Sequence, residues 1–434
     1  MRALYTLLWI LVLPWLPLRL WWRGRREPGY RERIGERFGH YGDLGVRRGT
    51  YVIWIHAVSL GETRAAAPLV ARIARDLPAA TILLTHMTAT GREAGRALYG
   101  SGVVQAWLPY DFPFAVRAFL AHFAPRAGLL METELWPNLA AACAVARVPL
   151  FLVNARLSER SFTGYRRFAV LTQPMFASLA GVAAQTADDA ARVEAAGATN
   201  VVVTGNLKFD VEISAGVRAD GDAMRGRFGA ARPVFLAAQT RDGEEALILD
   251  AIARGALPEG TLTVIVPRHP QRFDEVGALL AARGIAFVRR SANAPVPADV
   301  AVVLGDTLGE LPAYYCAADV AFVGGSLLPL GGQNLIESVA VGTPTLVGPH
   351  TFNFAEAAAN AIAAAAALRV ADADALIAEV GSLLRDPARR ARMKEAAIAF
   401  HAAHRGAADQ LWAWLAPKLG SGPRNPDQRA NTGE

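Results

Sequence analysis

Val323 to His350 reads VGGSLLPLGGQNLIESVAVGTPTLVGPH, and this stretch decides the fold. An apolar run, Ala318 to Val323, delivers the backbone to Gly324 and Gly325. A second pair, Gly331 and Gly332, precedes Gln333, Asn334 and an amphipathic helical segment carrying Glu337; a short apolar strand, Thr343 to Val347, follows. Glycines ahead of a helix let backbone N–H groups approach an anion, and the helix start adds partial positive charge. A carboxylate one turn inside suits a pair of ribose hydroxyls. The unit has two readings. It is a seat for a nucleotide-linked sugar, or it is a structural strand–turn–helix whose glycines only permit tight packing.

Outward from this unit the same alternation repeats. Strand-like runs are Tyr51–His56, Thr81–Thr85, Val103–Leu108, Gly128–Met131, Pro149–Val153, Gly181–Gln185 and Val201–Thr204. A polar, glycine-bearing stretch, Ser214 to Asp222, reads as a linker. The pattern restarts at Pro233–Ala238, Leu262–Val266, Ile285–Val288, Val300–Leu304, Val320–Val323 and Thr343–Val347, with helices from about Phe354 to Ala416 closing the chain. Strands alternating with helices specify parallel, doubly wound sheets. The expected organisation is a segment 1–26, a Rossmann-like domain 27–213, a second Rossmann-like domain 223–420 and a disordered polar tail 421–434. Two such domains imply a cleft, with the chemistry in loops beyond the C-terminal strand ends.

Composition agrees. The 434 residues are 53% hydrophobic and 19% charged, with net charge +6. That is a globular chain favouring acidic partners such as phosphorylated substrates, nucleotides or an anionic membrane surface. No nucleic-acid motif accompanies the charge. Two isolated cysteines, Cys143 and Cys316, support neither a zinc site nor a disulfide framework, so a reducing compartment is expected. Asp220-Gly-Asp222 and Asp372-Ala-Asp374 read as solvated caps rather than metal ligands, and no P-loop or G-x-S-x-G elbow occurs.

The N-terminus departs from the soluble pattern. Ala3 to Leu18 is almost wholly apolar, with Trp9 and Trp15 inside it, Trp21 and Trp22 beyond it, and arginines from Arg19 to Arg37 following. Tryptophans followed by arginines form an interfacial anchor signature, and the arginine excess places the body on the cytoplasmic side. Pro14 and Pro17 interrupt a run already short for a span. The segment thus either spans or lies in one leaflet, the alternative being a buried core helix.

Candidate chemistry lies in the loops. Glu62 opens the helix after the first strand. Ser59-x-x-Glu62 is a capping box, and equally a place for a general base kept ionised by the helix start. Arg268 and His269 follow the strand Leu262–Val266, where a guanidinium fork fits phosphate or carboxylate. Glu132 and Glu134 would repel each other if both were unpaired, so one is expected to pair with an arginine such as Arg156. Lys208 either reaches an anionic donor or pairs with Asp210.

Ten motifs in order over nearly the whole chain resemble the 3-deoxy-D-manno-octulosonic acid (Kdo) transferases of lipopolysaccharide assembly. They are HAVSLGE (56–62), LPYD (108–111), METELWPN (131–138), NARLS (154–158), GNLKFD (205–210), VPRHP (266–270), GDTLGEL (305–311), FVGGSL (322–327), GGQNLIE (331–337) and GPHTFNF (348–354). The resemblance implies a glycosyltransferase-B fold, two Rossmann-like domains facing a cleft with an N-terminal membrane anchor helix. It implies CMP-Kdo as donor, with no cofactor or metal. It implies the lipid A disaccharide precursor as acceptor, at the cytoplasmic face of the inner membrane. By it Glu62 matches the catalytic base, and Arg268, Asn334 and Glu337 match donor contacts, Glu337 on the cytidine ribose. Backbone N–H groups of Gly324, Gly325 and Ser326 are expected to receive the departing phosphate, with Lys208 near the donor. Domain closure would bring Glu62 to the donor. Gln333 stands where the family usually carries histidine; it still hydrogen-bonds but holds no charge. A nucleotide-sugar epimerase of the same architecture and a non-catalytic membrane-bound nucleotide-sugar sensor are the alternatives.

Overall fold

Strands buried on both faces by crossover helices must be apolar almost continuously, and parallel pairing follows from those crossovers. A computed structural model of the chain describes residues 1–25, 27–45, 50–211, 213–255 and 257–420. The expected tail, 421–434, and Arg26 of the expected anchor lie outside the described residues. The first sheet holds β1 (Tyr51–His56), β2 (Ala80–His86), β3 (Val104–Trp107), β4 (Pro125–Met131), β5 (Leu150–Ala155), β6 (Gly181–Ala184) and β7 (Val201–Val203). They are hydrogen-bonded in the order β3-β2-β1-β4-β5-β6-β7, every pair parallel. The second sheet holds β8 (Val234–Thr240), β9 (Leu262–Pro267), β10 (Phe287–Arg289), β11 (Val302–Leu304), β12 (Val320–Val323), β13 (Thr345–Val347) and β14 (Ala367–Arg369). Its order is β10-β11-β9-β8-β12-β13-β14, again parallel.

Alternation along each strand feeds two cores per sheet. Trp54 joins Leu83, Phe119 and Phe176 on one face of the first sheet, while Ile53 and Ile55 join Leu69, Leu129 and Leu411 on the other. In the second sheet Phe235 and Ala237 face one way, Leu236 and Ala238 the other.

Three expected boundaries change. The stretch Ser214–Asp222 is no linker: Ser214 caps a helix, Ala215–Phe228, whose Met224 and Phe228 are buried in the second core. A Cβ on Gly221 would lie 2.3 Å from the Cβ of Cys316, so this glycine permits close helix packing. β14 arises inside a stretch read as helix. Finally, the expected second domain does not run to 420. The chain divides into a unit of Met1–Asp210 with the segment from Gly406 onward, and a unit of Val211–Arg405. The last helix, Ala407–Gly420, buries Leu411, Leu415 and Leu419 in the core of the first unit. Asp210 fixes its start, accepting hydrogen bonds from the Gly406 and Ala408 amides.

The N-terminal segment forms two helices, Arg2–Val12 and Trp15–Arg23, bent by 59°. The break falls beside Pro14, which cannot donate to an intact helix. No single described helix is long and apolar enough to cross a membrane. One side of the pair is docked on the first unit: Leu16 and Leu20 are buried with Tyr30, Tyr110 and Phe112, and Trp9 stacks 5.9 Å from Trp136. The other side leaves Leu4, Leu8, Leu11, Trp15, Leu18 and Trp22 exposed.

Candidate active site

In the first sheet β1 and β4 are neighbours although β2 and β3 intervene in sequence, so the winding reverses between them. Ligands of such sheets collect at this point, beyond the C-terminal strand ends. The loop after β1 carries Ser59 and Glu62; the loop after β4 carries Glu132 and Glu134.

The capping-box reading of the Ser59–Glu62 pair is borne out. The Glu62 amide donates to Ser59 Oγ at 3.4 Å, while Glu62 Oε1 accepts from the Ser59 hydroxyl at 2.8 Å and Oε2 from the Val58 amide at 2.9 Å. The residue is 8% exposed. The helix start is expected to favour the ionised form of Glu62, but burial works against it. Burial first, then the charge of Glu132, push its pKa from 4.5 to about 7, against the lowering pull of Val58 and Ser59. A helix of six residues contributes too little to offset that burial. A carboxyl group titrating near neutrality is well matched to accept a proton.

Glu132 holds a left-handed backbone, φ 56°, an uncommon conformation for a non-glycine residue and a costly one. Its Oε1 accepts from Lys208 Nζ at 2.6 Å. Lys208 is therefore a basic partner of this glutamate, rather than of Asp210. Arg156 stands half-buried just after β5. Glu134 accepts from the Trp136 indole at 3.2 Å, and Asn138 bonds Thr6 at 3.0 Å, so this one motif ties the acidic cluster to the docked N-terminal helix.

In the second sheet the winding reverses between β8 and β12. Here the glycine-loop expectation needs its main correction. The Gly325 amide donates to Glu244 Oε2 at 2.6 Å, and the Ser326 and Leu327 amides donate to Oε1 at 3.0 Å each. Gly324 N–H is spent on Ala238 O. The anion seated by this loop is therefore the chain's own fully buried Glu244, which already engages the Gly325, Ser326 and Leu327 amides. A Cβ on Gly324 would lie 2.6 Å from Gln239 O, so the packing reading is right for that residue. Sequence reading missed Glu244; its only signal is its place at the start of a helix after β8.

Cationic and polar groups remain at the same edge. Arg268 Nε donates to Gln333 Oε1 at 3.3 Å. The imidazole of His269 is pushed below its ordinary pKa by partial burial, then by Arg268, Arg241 and Arg272. Arg272 is engaged by Glu245 at 2.6 Å. Asn334 Oδ1 accepts from the Ile336 amide at 3.0 Å, just ahead of the helix Ile336–Val341, and Glu337 lies in its first turn, near Tyr315. Arg241, also missed in sequence, thus joins Arg268 in one positive field. Among the described residues no group of three or more His, Cys, Asp or Glu side chains is placed to hold a metal. Asp372 caps the helix Ala373–Arg385, as expected of it.

Residues 32–211 match the family model described as 3-deoxy-D-manno-octulosonic-acid transferase (kdotransferase), and residues 287–400 match glycosyl transferases group 1. A Bordetella pertussis 3-deoxy-D-manno-octulosonic acid transferase is 50% identical over 95% of this chain and 99% of its own length. The chain belongs to the Kdo transferase family. A Haemophilus influenzae member is 36% identical over 96% of this chain and 99% of its own. The Anabaena protein Alr3699/HepE, solved with UDP, shares the fold: TM-score 0.57 at 16% identity, covering 86% of this chain and 100% of that one. Family membership makes the chain a glycosyltransferase and disfavours the epimerase alternative, which shared fold alone could not separate. In this Kdo transferase the residue at 333 is glutamine, and its carbonyl orients Arg268 through a bond that a protonated imidazole could not accept.

Proposed function

We propose that the chain transfers Kdo from CMP-Kdo to a primary hydroxyl of the phosphorylated lipid A disaccharide precursor, lipid IVA, with inversion. The observation that carries the mechanism is Glu62, buried at the reversal point of the first sheet with a pKa near 7. Glu62 takes the acceptor hydroxyl proton. The acceptor oxygen forms a bond to the anomeric carbon as the bond to the phosphate oxygen breaks, and CMP leaves with that electron pair. With the loop amides held by Glu244, charge on the donor is offset by Arg268 and Arg241, and Glu337 holds the ribose hydroxyls. Asn334 shapes the helix start beneath them. These cations let the step proceed without a metal. Val58 and Ser59 position Glu62, and the charge of Glu132, itself held by Lys208, raises its pKa.

The N-terminal helix pair is read as lying in one leaflet of the inner membrane's cytoplasmic face. Its docked side and exposed apolar side support this in-plane placement, and its arginines suit anionic lipid. The test of function is purified protein with CMP-Kdo and lipid IVA, products read by mass spectrometry. Glu62→Gln should lower turnover by about 10²–10⁴-fold. Full activity in that variant would reject the base assignment. A parent protein that binds CMP-Kdo yet forms no product would favour the sensor alternative.

A further inference from the structure

A groove of about 1170 Å³ runs over the first unit between the N-terminal helix and the helices Pro113–Phe123 and Pro137–Val145. That exceeds the roughly 300–1,000 Å³ usual for small-molecule sites. Its walls are apolar: Leu7 and Ile10 from the first helix, Leu120 from the second, Ala142 and Val145 from the third. Val145 is 87% exposed and Leu7 52%, an unusual outlay of apolar surface. Arg2 and Arg117 are the charged side chains of the lining, which holds no carboxylate side chain. The two later helices follow β3 and β4, so their first turns, at Pro113 and Asn138, lie at the sheet edge where Glu62 opens its own helix. From Asn138 to Ala146 the wall runs about 12 Å along the helix. Apolar surface also continues past the groove onto Leu4, Leu8 and Leu11 of the first helix.

We propose that this groove seats one fatty acyl chain of the lipid acceptor, with Arg2 and Arg117 meeting the lipid's phosphate. The inference rests on the reading that the acceptor is a phosphorylated, acylated lipid. Charge complementarity and continuity with the exposed apolar face select this occupant. A hydrocarbon chain asks for no hydrogen bonds, and the phosphate is met at the cationic residues. The N-terminal helix is then a wall of the acceptor site as well as a contact with lipid. This explains why Thr6–Asn138 and Trp9–Trp136 hold it to a motif that also carries Glu132.

The experiment compares Ala142→Trp and Val145→Trp with the parent, using the full chain. Steady-state kinetics are run with lipid IVA and with the same phosphorylated disaccharide stripped of its acyl chains. Each methylene kept out of the groove should cost about fourfold in binding. Both variants should therefore raise KM for lipid IVA at least tenfold, leaving KM for the stripped acceptor and for CMP-Kdo unchanged. Val145 lies outside the core, so its variant reports even if Ala142→Trp fails to fold. An unchanged KM for lipid IVA in Val145→Trp, or an equal rise with both acceptors, overturns the proposal. So does a change of oligomeric mass in the variants, which would assign the groove to a second copy. Parent protein that transfers Kdo equally well to both acceptors defeats only the groove; parent protein that transfers to neither defeats the function itself.

Discussion

Replacing Glu132 by glutamine should move the acidic limb of the pH–rate profile downward. Glu62 titrates near 7 because burial, then the neighbouring charge of Glu132, oppose its ionisation. The rise from 4.5 to about 7 amounts to about 3 kcal/mol against the carboxylate. Burial remains in the variant, so only part of this is recovered, and the limb should fall by about one pH unit. The glutamine that replaces Glu132 can still accept a hydrogen bond from Lys208, so the substitution removes the charge while keeping an acceptor in place. The sign follows from the role: a general base works deprotonated, so a lower pKa retains more of the plateau rate in acid. Well below the limb the variant should keep about tenfold more of its own plateau than the parent does. The assay is kcat/KM for CMP-Kdo against pH from 5 to 9, each profile normalised to its plateau. A limb that stays in place, or moves up, would refute both the coupling and the assignment of Glu62 as the titrating base.

Other outcomes follow from the same geometry. Glu62→Gln, besides its loss of turnover, should be more stable at pH 8 by about 1–3 kcal/mol, because the native pKa lies above the unfolded one and stability falls as pH rises from 4.5 through about 7; denaturant melts at pH 5 and 8 test this. Glu244→Ala strands three buried amides and should destabilise the second unit by about 2–4 kcal/mol while raising KM for CMP-Kdo, read by thermal unfolding and kinetics. Gly221→Val should lower the unfolding midpoint with little effect on KM, since its side chain would strike Cys316 and Ala313 O. Leu8→Asp with Leu11→Asp should weaken sedimentation with anionic vesicles without unfolding the protein, a cleaner test than deleting 1–26, which would also strip Leu16 and Leu20 from the core.

Most strands were legible because burial on both faces demands uninterrupted apolar runs, as in Tyr51–His56 and Val320–Val323. β14 was hidden because three residues in an alanine-rich stretch carry no period of their own. Ser214–Asp222 misled because its glycines and aspartates mimic a linker, while the anchoring Met224 and Phe228 lie beyond it. The last helix read correctly as a helix, but its destination depends on Asp210, nearly two hundred positions earlier. At the site, Glu62, Arg268, Asn334 and Glu337 could be picked out from local motifs. The Glu132–Lys208 pair and the seat of Glu244 could not, since each joins residues far apart in sequence that only the sheet order brings together.

The division of the chain at Asp210 and Gly406 bears on biosynthesis. A ribosome completes every strand of the first sheet long before it makes Leu411, Leu415 and Leu419, which close one of that sheet's faces. The second unit, contiguous from Val211 to Arg405, is free to fold while its predecessor still waits with an open flank. A premature stop at Arg405 would thus spare the later-made half and cripple the earlier one, exposing Ile53, Leu129 and Phe151 to chaperones and proteases.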